Sequence, residues 1–122
     1  MLVPFSYKEL QELEQMKNAD EWAGSALYIK ESFFGNKKNQ YRMKIVQFDD
    51  RTLLLLPKYG CVTELILHAK DENTFTCSEK LLDGDCTVDT DATTTLRFRD
   101  NEIDYIWKTD SESMTATLKK TK

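Results

Sequence analysis

Glu79 is the residue whose type and position most directly suggest chemistry. It lies between Cys77 and Leu81 in a segment where apolar and polar residues alternate, so the spacing predicts that its side chain faces inward. A carboxylate on a core-facing side must be paired, neutralised or placed at an opening, because isolated burial of its charge is unfavourable. One interpretation is an acid that orients a ligand in a pocket. The other is a structural ion pair with one of three arginines, Arg97, Arg42 or Arg99.

Aromatic residues form the second set of candidates for a functional site. Five of them fall on inward positions of alternating segments: Trp22, Tyr28, Tyr41, Tyr105 and Trp107. Packing in the core is the default interpretation of such residues in a small β-protein. The alternative is an aromatic-lined pocket, in which Tyr41, Tyr105 and Trp107 would contact a ligand together with Glu79.

Two adjacent aromatic residues, Phe33 and Phe34, fall in a predicted turn, where both cannot easily be buried. At least one of them is a candidate anchor for a protein partner. Lys37 and Lys38 follow closely and would give this loop a positive rim on an otherwise acidic protein. We therefore treat these four residues as a candidate partner-binding loop.

The histidine and the cysteines do not predict a metal or catalytic centre. His68 is the only histidine, and Cys61, Cys77 and Cys86 lack the close spacing of zinc ligands. No nucleophile, base and orienting residue can be assembled, so no catalytic residue, metal or cofactor is predicted. Buried thiols are one interpretation of the cysteines. A single disulfide between Cys61 and Cys86 in an exported protein is the other.

Length and charge limit the classes of protein that remain. The chain has 122 residues, of which 40% are hydrophobic and 31% charged, with a formal net charge of -4. This length suits one domain over residues 1–122. The negative charge argues against a nucleic-acid binder, which normally presents a basic face. No apolar run approaches the roughly 20 residues that span a bilayer as a helix.

The N-terminal segment predicts one α-helix over residues 6–18. Ser6 and Glu9 have the spacing of a capping box, and Phe5 and Leu10 that of a hydrophobic staple. Apolar residues then recur at three-residue steps and form one stripe: Tyr7, Leu10, Leu13 and Met16. Such a helix would close one end of the fold or lie on its wall.

From Trp22 onward the apolar residues recur with a period of two, which is typical of strands. The alternating segments cover residues 22–30, 41–45, 52–56, 61–68, 74–81, 86–89, 94–99, 102–108 and 113–119. About eight short strands joined by turns, including a turn over residues 33–39, predict an antiparallel meander. Closure removes the exposed edges of such a sheet, so a mainly β, up-and-down barrel over residues 22–119 is favoured.

The order of several landmarks resembles that of known proteins. Trp22-Ala23-Gly24 is followed by the Tyr59-Gly60-Cys61 corner, Gly84-Asp85-Cys86, the Ile103-x-Tyr105-x-Trp107 strand and a closing Ala116-x-Leu118. This order is similar to that of small bacterial lipocalin-like β-barrel modules, which stand alone or are appended to serine/threonine kinases and cell-envelope proteins. The resemblance covers residues 22–119 and implies a fold and a non-enzymatic role, but no particular ligand. Lipocalins open with Gly-x-Trp, whereas this chain has Trp-x-Gly.

These features together predict a non-enzymatic binding module that recognises a protein partner or a small ligand through its loops or mouth. The alternative is an acidic inhibitor or immunity-type protein that blocks an enzyme or toxin, because a small acidic domain suits electrostatic steering toward a basic target. The N-terminus lacks a basic region followed by an apolar one, so the sequence as it stands predicts a cytoplasmic protein. Removal of a leader would make it extracytoplasmic.

Overall fold

The computed structural model describes residues 20–48, 50–84, 86 and 92–121. These residues form eight strands and one short 3-10 turn, Pro57–Tyr59. The strands are β1 (Asp20–Lys30), β2 (Lys37–Phe48), β3 (Arg51–Leu56), β4 (Cys61–Asp71), β5 (Thr74–Asp83), β6 (Thr93–Arg99), β7 (Glu102–Lys108) and β8 (Glu112–Lys120). The helix predicted over residues 6–18 lies outside the described ranges.

The strands form one closed antiparallel barrel in chain order, so the predicted architecture is confirmed. Each strand pairs with its neighbour in sequence, and β1 closes the barrel by pairing with β8, with Ala26 opposite Ala116. Closure gives both edge strands a hydrogen-bonded partner, which removes the exposed edges that an open sheet of this size would leave.

Alternation along the strands decides which side chains enter the barrel. The inward residues of neighbouring strands meet in register; Trp22, for example, lies opposite Ile45, and Ile45 lies opposite Leu54. The buried interior cluster contains Trp22, Ala26, Met43, Ile45, Leu54, Leu65, Cys77, Leu96, Ile103, Tyr105, Ala116 and Leu118. Successive side chains of a strand point to opposite faces, so the period of two places this set on one side.

Several strand boundaries differ from the sequence-based predictions, and two of the differences concern residues singled out above. Lys37, Lys38 and Asn39 belong to β2 rather than to a turn, because the β1–β2 ladder continues to the pair Lys30–Lys37. Backbone hydrogen bonds extend the β1–β2 hairpin into this polar segment, which shows no apolar alternation. Of the strand predicted over residues 86–89, only Cys86 is described, and it lies outside any strand.

A second apolar set is buried on the outer face of β2, β3 and β4. Val46, Leu53, Leu55 and Val62 alternate with the interior residues, yet none of them is more than 1% exposed. Val46 lies opposite Leu53, and Leu55 lies opposite Val62. β3 is therefore apolar and buried on both of its faces.

The two ends of the barrel are filled differently. At the end where β1 begins, Phe98 packs edge-on against both Trp22 and Phe75, with ring centroids 6.1 and 5.5 Å apart. These large rings fill the interior at that end. At the other end the interior positions leave a cavity. No helix in the described ranges is long and apolar enough to cross a membrane.

Candidate functional site

The cavity lies at the end of the barrel where β1, β3, β5 and β7 finish, which we call the open end. It has a volume of about 390 Å³. Its described lining residues are Tyr28, Leu54, Leu56, Thr63, Glu79, Cys86, Tyr105, Trp107, Glu112 and Met114. The walls are therefore mostly apolar and aromatic, with two carboxylates among them, which is the usual make-up of a small-molecule site.

Glu79 faces the cavity from β5, so its predicted inward position is confirmed. The β5–β6 register covers four residue pairs and ends at Cys77 opposite Thr94, so Glu79 lies just past the last pair. The Tyr105 hydroxyl donates a hydrogen bond to Glu79 Oε1 over 3.2 Å. Thr94 supplies a second side-chain hydrogen bond. Burial raises the pKa of this carboxyl above its ordinary value, although both hydrogen bonds act in the opposite direction.

The ion pair with an arginine is wrong as an account of Glu79. Arg42, Arg97 and Arg99 all lie on exposed positions that alternate with interior residues, so strand parity points them to solvent. Arg99 instead binds Glu102 and Asp104 on the surface, at 2.8 Å from each. Among the residues that the structure describes, the neighbours of Glu79 are hydroxyl groups and apolar side chains.

Tyr105 and Cys77 are the titratable groups beside Glu79. Burial, followed by the nearby carboxylate of Glu79, raises the pKa of Tyr105 well above its ordinary value. The same causes raise the pKa of the Cys77 thiol to about 11. Both groups therefore stay protonated near neutral pH, and Tyr105 remains a hydrogen-bond donor.

A second carboxylate, Glu112, lies at the rim of the cavity at the start of β8. The Tyr28 hydroxyl donates to Glu112 Oε1 over 2.8 Å, and Lys30 Nζ lies 3.8 Å from the same oxygen. Burial and this carboxylate together raise the pKa of Tyr28 to about 12. The sequence identifies Tyr28 only as an inward aromatic residue. Glu112 lies one residue before the strand predicted over residues 113–119.

The aromatic candidates divide between the core and the cavity. Trp107 and Tyr105 line the cavity, as the pocket interpretation predicted. Tyr41 is not among the described lining residues, but its ring centroid lies 6.2 Å from that of Tyr28 and 5.5 Å from that of Tyr59. Tyr28 in turn lies 6.5 Å from Trp107, so these rings form a row at the open end. Trp22 packs at the opposite end.

A disulfide joins the wall of the cavity to the start of β4. Cys61 and Cys86 are bonded, with their Cα atoms 6.1 Å apart, so buried free thiols are the wrong interpretation for this pair. Cys86 lines the cavity, and its bond links this part of the wall to the first residue of β4. Cys77 is a buried free thiol, as that interpretation predicted.

The candidate partner-binding loop lies in the β1–β2 hairpin at the open end. Phe33 and Phe34 are 98% and 96% exposed, and their rings contact each other edge-on. The Gly35 amide donates to the Ser32 carbonyl and closes the turn. Lys37 and Lys38 stand at the base of the hairpin, opposite Lys30 and Ile29.

Outside the cavity, the described histidine and acidic side chains do not form a metal site. His68 is exposed, and its Nε2 lies 2.6 Å from the hydroxyl of Ser78 on the neighbouring strand. Within the described part of the chain, no group of three or more histidine, cysteine or acidic side chains has the geometry to hold a metal ion. The cavity at the open end, by contrast, brings carboxylates, hydroxyls and aromatic rings of the described residues together.

No protein-family model matches the chain, and no curated protein matches it significantly.

Proposed function

We propose that this protein is a non-enzymatic binding module that takes a small ligand into the open end of its barrel. The observation that carries the proposal is the cavity of about 390 Å³, in which Glu79 is placed among aromatic and apolar walls. This volume falls in the range of roughly 300–1,000 Å³ that is typical of small-molecule sites. A carboxylate in such surroundings lowers the stability of the fold unless it has a binding partner, so its presence favours a role in recognition.

The groups around Glu79 favour binding over catalysis. A nucleophilic cysteine needs a lowered pKa, whereas that of Cys77 is raised to about 11. General acid–base catalysis needs a positioned partner that exchanges protons near neutral pH, and the pKa of Tyr105 lies far above that range. The polar groups of the cavity are therefore suited to hydrogen bonding and charge pairing with a ligand.

The proposal is tested with N-phenyl-1-naphthylamine, a neutral dye whose fluorescence rises in apolar surroundings. We expect saturable binding to the wild-type protein with one site per chain. Met114→Trp, which adds bulk to the cavity wall, should abolish it. Thr115→Trp is the matched control, because Thr115 is the exposed neighbour of Met114 on β8. Dye binding that persists unchanged in Met114→Trp, with both variants folded, would refute ligand binding in this cavity.

A protein partner bound through the candidate partner-binding loop is the second candidate function. Two phenylalanines that are 98% and 96% exposed at a hairpin tip contribute nothing to the core. Exposed aromatic residues of this kind are frequent anchors of protein interfaces. The lysines at the base of the hairpin favour a partner with an acidic patch.

The double variant Phe33→Ser/Phe34→Ser tests this second candidate. Its melting temperature should stay within about 2 °C of the wild type, since both side chains are exposed. Affinity capture with each protein, followed by calorimetry with the purified partner, should show a loss of at least about tenfold in affinity for the variant. Equal affinity of both proteins for that partner would contradict the assignment of the loop.

The disulfide favours an oxidising compartment for the protein. Disulfides form and persist in secreted and periplasmic proteins and are rare in the reducing cytosol. The bond between Cys61 and Cys86 therefore supports the extracytoplasmic alternative. Thiol labelling of the protein isolated from its natural source is the measurement: one reactive cysteine per unfolded chain is expected, and three would contradict the proposal.

A further inference from the structure

We infer that the cavity recognises a ligand that carries a protonated amine on a compact aromatic or aliphatic body. This inference rests on the proposed function and deepens it by assigning the charge of the ligand.

Glu79 provides a negative charge that no described cation neutralises. Its hydrogen-bond donors are the hydroxyls of Tyr105 and Thr94, which are neutral. A carboxylate offers about four acceptor positions, so these two donors leave acceptor capacity free. An ammonium group would fill that capacity and cancel the charge. Paired, hydrogen-bonded burial is the condition under which a carboxylate is tolerated inside a protein.

The other residues that line the cavity also favour a positively charged ligand. Glu112 is the second lining carboxylate, but Tyr28 and Lys30 already bind it, which leaves Glu79 as the principal site for a cation. None of the described lining residues is lysine, arginine or histidine. Lys30 compensates only Glu112, so an anionic ligand would meet the carboxylate of Glu79 without a described positive charge beside it. Like charges repel strongly where water is excluded.

Aromatic walls complete the site for a cation. Tyr28, Tyr105 and Trp107 line the cavity, and the faces of such rings attract ammonium groups. Leu54, Leu56 and Met114 supply apolar surface for the remainder of the ligand. With a volume of about 390 Å³, the cavity selects a compact ligand rather than a long lipid chain.

Three probes of nearly equal shape test the inference: 2-phenylethylamine, 2-phenylethanol and 3-phenylpropionate. Calorimetry near pH 7 with the intact protein should give the order amine, alcohol, carboxylate, with at least about a tenfold preference for the amine over the alcohol. In Glu79→Gln that preference should fall to about twofold or less, because the amide carries no charge that could pair with the ammonium group. Glu31→Gln is the control, because Glu31 is an exposed glutamate at the same end of the barrel.

The outcomes separate this inference from the proposed function. Equal affinity for the three probes, or a preference for the carboxylate, would overturn the assignment of charge while ligand binding in the cavity stands. A preference for the amine that survives in Glu79→Gln would overturn the role of Glu79. If none of the probes binds, the inference fails, and the naphthylamine dye decides separately whether the cavity binds ligands at all.

Discussion

Glu79 is unfavourable for the stability of the fold when it is ionised, and yet it lies in the cavity. Its burial raises the pKa of the carboxyl, which means that the ionised form is destabilised in the folded protein. The same side chain is the one charged group placed deep among the aromatic and apolar walls that the structure describes. Residues that weaken a fold and yet occupy a cavity are common at binding sites, because recognition rather than packing retains them.

We predict that Glu79→Gln stabilises the protein near neutral pH. Because the folded pKa lies above the unfolded one, Glu79 contributes stability fully below the unfolded pKa and loses it as pH rises through the folded pKa. Tyr105 and Cys77 stay protonated across this window, and Glu112 is present in both proteins. Thermal denaturation should give the variant a melting temperature a few degrees higher near pH 7, with the difference vanishing near pH 4.

Glu64→Gln provides a control with the opposite sign. Arg51 donates two hydrogen bonds to Glu64, at 2.9 and 3.0 Å, and this pairing lowers the pKa of the carboxyl. Its stabilising contribution is present above the unfolded pKa and is lost as pH falls through the folded pKa. This variant should therefore be less stable than the wild type near pH 7. A Glu79→Gln protein that is also destabilised there would mean that Glu79 has a structural role.

The pairing of β1 with β8 depends on a glycine. A Cβ added to Gly24 would lie 2.7 Å from the Thr117 carbonyl oxygen and 3.0 Å from Leu118 Cδ2, both on β8. The absence of a side chain therefore lets the first and last strands approach closely. This contact closes the barrel, so its loss would affect the whole sheet.

We predict that Gly24→Ala lowers the free energy of unfolding by about 1–3 kcal/mol, the usual effect of overpacking. Urea denaturation measures it. Ser25→Ala is the matched control, since Ser25 is the exposed neighbour on the outer face and should change stability by less than about 0.5 kcal/mol. Equal stability of Gly24→Ala and the wild type would contradict the close approach of β1 and β8.

The disulfide links two elements that are 25 residues apart in sequence. A loop of that length predicts a stabilisation of roughly 3 kcal/mol from the restricted unfolded chain. Reduction should lower the free energy of unfolding by this amount in denaturant titrations. Cys61→Ala/Cys86→Ala should behave like the reduced protein. Because Cys86 lines the cavity, both forms should also bind the dye more weakly. Unchanged stability after complete reduction would contradict the prediction.

Across the whole molecule, the apolar core extends beyond the barrel interior. Leu53 is inaccessible to solvent although it points to the outer face, whereas Ile66, also on the outer face, is 41% exposed. The outer set on β2, β3 and β4 therefore behaves as core.

We predict that Leu53→Ala costs about 2–5 kcal/mol of stability, as core truncations do. Ile66→Ala is the control and should cost less than about 1 kcal/mol. Chemical denaturation of both variants gives the comparison. Similar small losses would show that the outer face of β3 is an ordinary solvated wall.

The sequence predicted the barrel and the inward position of Glu79 because both depend on local alternation. It could not select the partner of Glu79, since Tyr105 is 26 residues away and the three candidate arginines are also distant in sequence. The Tyr28–Glu112 contact joins residues 84 positions apart, so no local sequence pattern predicts it. The inward position of Thr94 could be predicted from the sequence, because it lies on the same strand face as Leu96 and Phe98.

Parity along a strand is a property of the backbone, which places neighbouring side chains on opposite faces whatever the remaining chain does. The order of residue types therefore decided which side chains enter the barrel and which stay in solvent. Closure of β1 on β8 and the register of each pair decided which of those side chains meet. The cavity, the hydroxyl partners of Glu79 and the disulfide depend on those long-range distances, and so they exist only in the folded chain.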